Sequence, residues 1–156
     1  NPAAASVNDW QFDMTARKFE IGGTSNYPGA VALGESLALV NEIGIENIQA
    51  YVEELSAYCM EQLESIGATI ITHKDPGRRA GIVIARIYED LDTERAILRK
   101  LHAQNIFVAH RFTDYVGGFR ISCQYFNNHK DIDTLTNALK QLIHEVGRKP
   151  DYKLPW

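Results

Sequence analysis

Cysteine is scarce in this sequence of 156 residues, with only two present. That scarcity excludes a disulfide scaffold, and Cys59 and Cys123 lie too far apart for a metal-knuckle spacing. A reducing, cytoplasmic setting is the expectation. No apolar run approaches the roughly 20 residues of a membrane span, and no secretory leader is visible. Basic charge is also short: 16 Lys and Arg face 20 Asp and Glu, a formal net charge of −4. With no Lys/Arg stripe, nucleic-acid backbone binding is disfavoured. The five histidines show neither H-x-x-x-H nor H-E-x-x-H spacing, so no metal site is expected. Nucleotide cradles of the G-x-G-x-x-G and G-x-x-x-x-G-K-[ST] kinds are missing, as is the G-x-S-x-G elbow of serine hydrolases.

What is present is enough apolar sequence, 45% of residues, for one packed domain. Residues 1–20 read as an irregular arm anchored by Trp10, Phe12 and Phe19, followed by a turn-rich stretch from Gly22 to Gly29. Ala30, Leu33, Leu37 and Val40 then share a helical face, with Gly34 beside them allowing close packing and Gly44 ending the helix. Ile48, Val52, Leu55, Cys59, Leu63 and Ile66 form the clearest apolar stripe. Beyond Gly67 the period changes to strands at Ala68–Thr72 and Gly81–Tyr88, joined through an Asp75-Pro76-Gly77 turn. Asp92 is expected to cap a helix to about Gln104. Strands at Ile106–Phe112 and Phe119–Tyr125 follow, separated by Thr113–Gly118. Asn128 caps a last helix that Gly147 ends, and the tail to Trp156 reads as loose unless Trp156 docks. Two helices followed by ββαββα, with short links, predict an α+β fold with a mainly antiparallel sheet and helices on one face.

Three features can carry chemistry. The glycine-rich turn around Thr24, running into a helix, can offer backbone N–H groups and a hydroxyl to an anion, although such turns also serve simply as helix entries. On the strand Phe119–Tyr125, Arg120, Ser122 and Gln124 share one face; Arg120 suits a carboxylate fork, or a solvated sheet face. Cys123 lies on the opposite, apolar face, which argues for a buried thiol rather than a nucleophile. Arg111 leaves its strand on the face opposite Ile106 and Val108, where it either meets a surface carboxylate or converges with Arg120 on one anion.

The run Ala16-Arg17-Lys18-Phe19-Glu20-Ile21-Gly22-Gly23-Thr24-Ser25-Asn26 resembles the A-R-x-F-E-x-G-T-x-N segment of class V aminotransferases, with one extra glycine-like position before Thr24. The segments Phe119-Arg120-Ile121-Ser122, Tyr125-Phe126-Asn127-Asn128 and Asp131-Ile132-Asp133 resemble the family's R-I-S…Y-N…D-I-D ending. This is the family of cysteine desulfurases, selenocysteine lyase and isopenicillin-N epimerase-like proteins, and the resemblance covers residues 10–146. It implies the C-terminal part of a fold-type I enzyme that uses pyridoxal 5'-phosphate on an amino-acid substrate, usually as a homodimer. Residues 1–43 would then end the cofactor-binding large domain, 44–147 form the small α+β domain and 148–156 a tail. The opening Asn1-Pro2, in place of Met, accords with a partial chain.

By the same resemblance, Thr24 and Asn26 fall in the segment that reaches the cofactor phosphate of the neighbouring subunit. Arg120 is the arginine that binds the substrate α-carboxylate. Either Arg111 or His110 aligns with a second family arginine. The family's Schiff-base lysine lies upstream of the R-F-E segment and is not in this chain; Lys18 is not given that role, and the segment alone is expected to be inactive. The loop that carries the nucleophilic cysteine in desulfurases corresponds here to Thr113–Gly118, which has none, so transaminase, epimerase and lyase reactions stay open. A non-catalytic module that binds a small molecule or dimerises through its sheet has the same ββαββα order.

Overall fold

A computed structural model describes residues 14–16, 26–113 and 116–154. The aromatic arm, Thr24 and Trp156 lie outside them. The chain divides into two compact units, Asn1–Glu42 and Ile43–Trp156. Helix α1 spans Tyr27–Ile43, all but its last residue in the first unit, and begins earlier than the periodicity predicts. The reason is Asn26, whose side-chain oxygen accepts the Gly29 N–H at 3.0 Å while its carbonyl accepts the Ala30 N–H. No residue of α1 is buried, and the space beside Gly34 is open among the described residues, so the close packing expected there is not seen.

The second unit holds α2 (Ile45–Ser65), β1 (Thr69–Ile70), a short 3-10 turn (Pro76–Arg78), β2 (Ile82–Arg86), α3 (Leu91–Ala103), β3 (Ala109–Thr113), β4 (Val116–Ser122) and α4 (His129–Val146). The strands lie in the order β1-β2-β4-β3, every pair antiparallel. β2 and β3 therefore run parallel with β4 between them, joined by α3 as a split βαβ unit. The predicted α+β class and its antiparallel sheet are observed. Leu55, Cys59 and Leu63 of the α2 stripe, Val83 and Ala85 of β2, Phe119 and Ile121 of β4 and Leu135, Leu139 and Leu142 of α4 share one core. Each large side chain buried there contributes about 1.5–3 kcal/mol. Among the described residues no helix is long and apolar enough to cross a membrane.

Some expectations need correction. The cap of α3 is Asp90, not Asp92: Asp90 keeps an extended backbone and its carboxylate accepts the N–H groups of Asp92 and Thr93, whereas Asp92 lies inside the first turn and pairs with Arg95. The Thr93 hydroxyl and the Asp92 N–H hold the Asp90 carboxyl below its usual range. Asn105 follows α3 at φ 60 and turns the chain, so residues 106–108 are not strand and β3 begins only at Ala109. At its other end the sheet runs further than expected. Thr113 pairs with Val116, leaving a connection of two residues rather than a six-residue loop.

Gly117 and Gly118 permit that extension. A Cβ on Gly117 would stand 2.0 Å from the Arg111 carbonyl oxygen, and one on Gly118 would stand 2.3 Å from that of Ala85. The neighbouring backbones thus close on β4 from both sides where only glycine fits. The tail is docked through residue 152 rather than loose. Tyr152 is buried, the N–H groups of Asp151 and Tyr152 both donate to the Ile87 carbonyl, and the Thr69 hydroxyl donates to the Tyr152 carbonyl.

Candidate active site

Paired residues of an antiparallel ladder project to one face, and residues two apart along a strand share it. Arg120 is paired with Ala109 and Arg111 with Gly118. Arg111 and Arg120 therefore stand on the same face as diagonal neighbours, about 7–8 Å apart along the ladder and somewhat less at the Cβ level. The residues opposite them, Ala109 and Gly118, are too small to intervene. Among the described residues neither guanidinium has a hydrogen-bond or ion-pair partner.

Arg120 lines an open cleft of about 450 Å³. The cleft exists because the segment after Asn105 diverges from β4: the ladder stops at Ala109–Arg120, so Val108 and Phe107 leave Ile121 and Ser122 unpaired on that side. The start of α4 forms its third wall. Only one carboxylate, Asp131, is among the lining residues. It is already occupied, closing a capping box in which Asn128 accepts the Asp131 N–H and Asp131 accepts the Asn128 N–H at 3.0 Å. Arg120 is left as an uncompensated cation beside apolar walls built by Ile106, Val108 and Leu135. That arrangement suits a small carboxylate bearing a hydrocarbon group.

Arg111 is exposed and is not among the residues of this cleft. Its neighbour His110 points the opposite way, towards α3, with Nε2 2.8 Å from Oε2 of Glu94. Glu94 is fully buried; its Oε1 accepts the N–H of Ile87 at 2.7 Å and of Tyr88 at 3.1 Å, and its Oε2 lies 3.9 Å from Nε of Arg86. Arg86 donates to the carbonyls of Tyr88 and Glu89 and stacks over the Tyr152 ring at 4.2 Å. Of this network the sequence singles out only His110, as the alternative to Arg111; Glu94 and Arg86 are not among the residues named there. Two signals pointed to it: Glu94 starts the inward stripe continued by Ile97 and Leu101, and His110 has the parity of Phe112 rather than of Arg111. Between His110 and Arg111, the geometry leaves Arg111 as the side chain on the face of Arg120.

Of the positions assigned to a cofactor phosphate, Thr24 lies outside the described residues. Asn26 is described, with its side-chain oxygen committed to the N-terminus of α1. The described residues thus provide a cleft with an unpaired arginine and do not by themselves fit a pyridoxal phosphate site. Cys59 and Cys123 are buried free thiols, as expected for Cys123. A hydrogen bond with Cys123 and burial push the Cys59 thiol far above its ordinary range.

Residues 3–135 match the family described as Aminotransferase class-V. The chain belongs to that family. It is 31% identical over 134 residues to a probable cysteine desulfurase of Staphylococcus aureus, covering 80% of this chain and 32% of the relative. An uncharacterized aminotransferase of Schizosaccharomyces pombe is 33% identical over 129 residues, covering 81% of this chain and 30% of the relative. The chain therefore spans about a third of the length of the curated relatives it matches. Among solved structures, the apo cysteine desulfurase of Thermococcus onnurineus NA1 shares the fold with a TM-score of 0.73 at 18% identity, over 90% of this chain and 36% of that one. A cystine C-S lyase in complex with its product cysteine persulfide has a TM-score of 0.67 at 25% identity, over 80% and 32%.

Proposed function

We propose that this chain is the C-terminal part of a pyridoxal-phosphate enzyme acting on an amino acid, of the aminotransferase, epimerase or lyase type. The observation that carries the reading is Arg120: a guanidinium without a partner among the described residues, in a cleft whose single carboxylate is engaged in a helix cap. Arg120 receives the substrate α-carboxylate as a bidentate fork, with the hydrocarbon part of the substrate beside the apolar walls. Fixing that carboxylate orients the bonds at the substrate α-carbon, a positioning contribution to the rate. The cofactor, when bound, supplies the electron sink for the reaction. Its phosphate would meet Thr24 from a neighbouring subunit in a homodimer, and its lysine belongs to the part of the protein upstream of Lys18.

Desulfuration through an enzyme persulfide does not fit this chain, although relatives of that name match it. The β3–β4 connection is two residues without cysteine, and both thiols are buried in the core. Two mass measurements on the intact protein test these statements. Borohydride reduction is expected to fix a phosphopyridoxyl group on the protein; finding none overturns the enzyme reading in favour of a non-catalytic binding or dimerisation module. After incubation with L-cysteine, Cys59 and Cys123 are expected to carry no persulfide sulfur, and a persulfide on either would restore the desulfurase reading.

A further inference from the structure

Arg111 is the cation that the proposed α-carboxylate site does not use. It lies on the face of Arg120, outside the cleft, unpartnered among the described residues, with Gly118 opposite it leaving its approach to Arg120 clear. Its place is also fixed from behind. β3 is the edge strand and is held by a single ladder. Here the residue before Arg111 is clamped on the inner face by the buried carboxylate of Glu94, with its ring edge-on to Phe112 at 4.7 Å and tilted against Phe119 at 5.2 Å. A strand that rolled or slipped would break that clamp, so the guanidinium is presented outward at a set distance from Arg120. Two such forks on one face, separated only by small residues, are within reach of the two ends of one dicarboxylate.

We propose that the substrate carries a second acidic group, a side-chain carboxylate received by Arg111 while Arg120 holds the α-carboxylate. The assignment rests on the reading of Arg120 given above and adds the substrate class, an acidic amino acid.

Calorimetric titration of the intact protein with glutarate and with butyrate tests this without requiring turnover. The unaltered protein is expected to bind glutarate more tightly than butyrate by about 10–100-fold, the effect of one hydrogen-bonded charge. Arg111→Ala should abolish that preference and leave butyrate unchanged, Arg111→Lys should keep part of it, and Arg120→Ala should weaken both ligands. Equal affinity for the two ligands in the unaltered protein, or an equal loss of both in Arg111→Ala, would overturn the proposal. If Arg120→Ala leaves both ligands untouched while Arg111→Ala still acts on glutarate alone, the α-carboxylate reading of Arg120 fails and the anion site at Arg111 stands.

Discussion

Glu94→Ala is expected to destabilise the intact protein by about 3–5 kcal/mol, the usual result of removing one partner from a buried charged network. The substitution would strand two backbone N–H groups, those of Ile87 and Tyr88, and the His110 ring, all of which now meet the same carboxylate. It would also leave the Arg86 guanidinium, 5% exposed, without its nearest negative charge. Carbonyls of Tyr88 and Glu89 and the Tyr152 ring would still hold Arg86, so the damage centres on the backbone donors and β3. Glu94→Gln separates hydrogen bonding from charge: its amide oxygen can keep Ile87 and Tyr88, and the cost should fall to about 1–3 kcal/mol. Chemical denaturation of the two variants beside the unaltered protein measures both effects. A loss below about 1 kcal/mol for Glu94→Ala would show that the network is dispensable for folding.

The position of this carboxylate explains what could and could not be read in the sequence. The α2 stripe, the alternation along Phe119–Tyr125 and the Asn128 cap are local patterns in which spacing alone determines the buried face; the stripe and the cap reappear in the fold, and the alternation holds through Cys123, although β4 stops at Ser122 and Tyr125 lies in a turn. The cap of α3 fell two residues from its expected place because Asp90 and Asp92 are equivalent in composition; only the backbone at Asp90 decides between them. The extent of β3 depended on events outside its own sequence. Its start is delayed by the left-handed turn at Asn105, and its end is prolonged by glycines in the partner strand. The divergence that follows from the delayed start creates the cleft, so Arg120 could be named from its motif while the space around it could not. The tail illustrates the same limit: Tyr152 docks through hydrogen bonds to Ile87 and Thr69, which lie far away in sequence. Glu94 and His110 form a long-range pair of this kind, and a periodic pattern containing one glutamate does not reveal its partner.

On the function proposed above, Arg120→Ala in the intact protein is expected to lower kcat/KM for an amino-acid substrate by about 30- to 1000-fold, the lower part of the cost of truncating one member of a hydrogen-bonded charge pair. The form of the loss matters as much as its size. An arginine that only holds the carboxylate, equally in ground and transition states, would raise KM and leave kcat intact. One that also sets the angle of the bond to be broken lowers kcat as well, because a misplaced α-carbon reaches the reactive geometry less often. The cleft favours the second outcome. Arg120 is held by ladder partners on both sides, Ile84 of β2 and Ala109 of β3, so its base cannot follow a shifted ligand. Arg120→Lys keeps the charge but loses the planar fork, and should recover KM more than kcat. Because the side chain projects from a strand already paired on both edges and makes no hydrogen bond or ion pair to another described group, neither substitution should disturb folding. Unchanged steady-state constants in Arg120→Ala would remove this arginine from the site, and with it the assignment of the cleft to the substrate carboxylate.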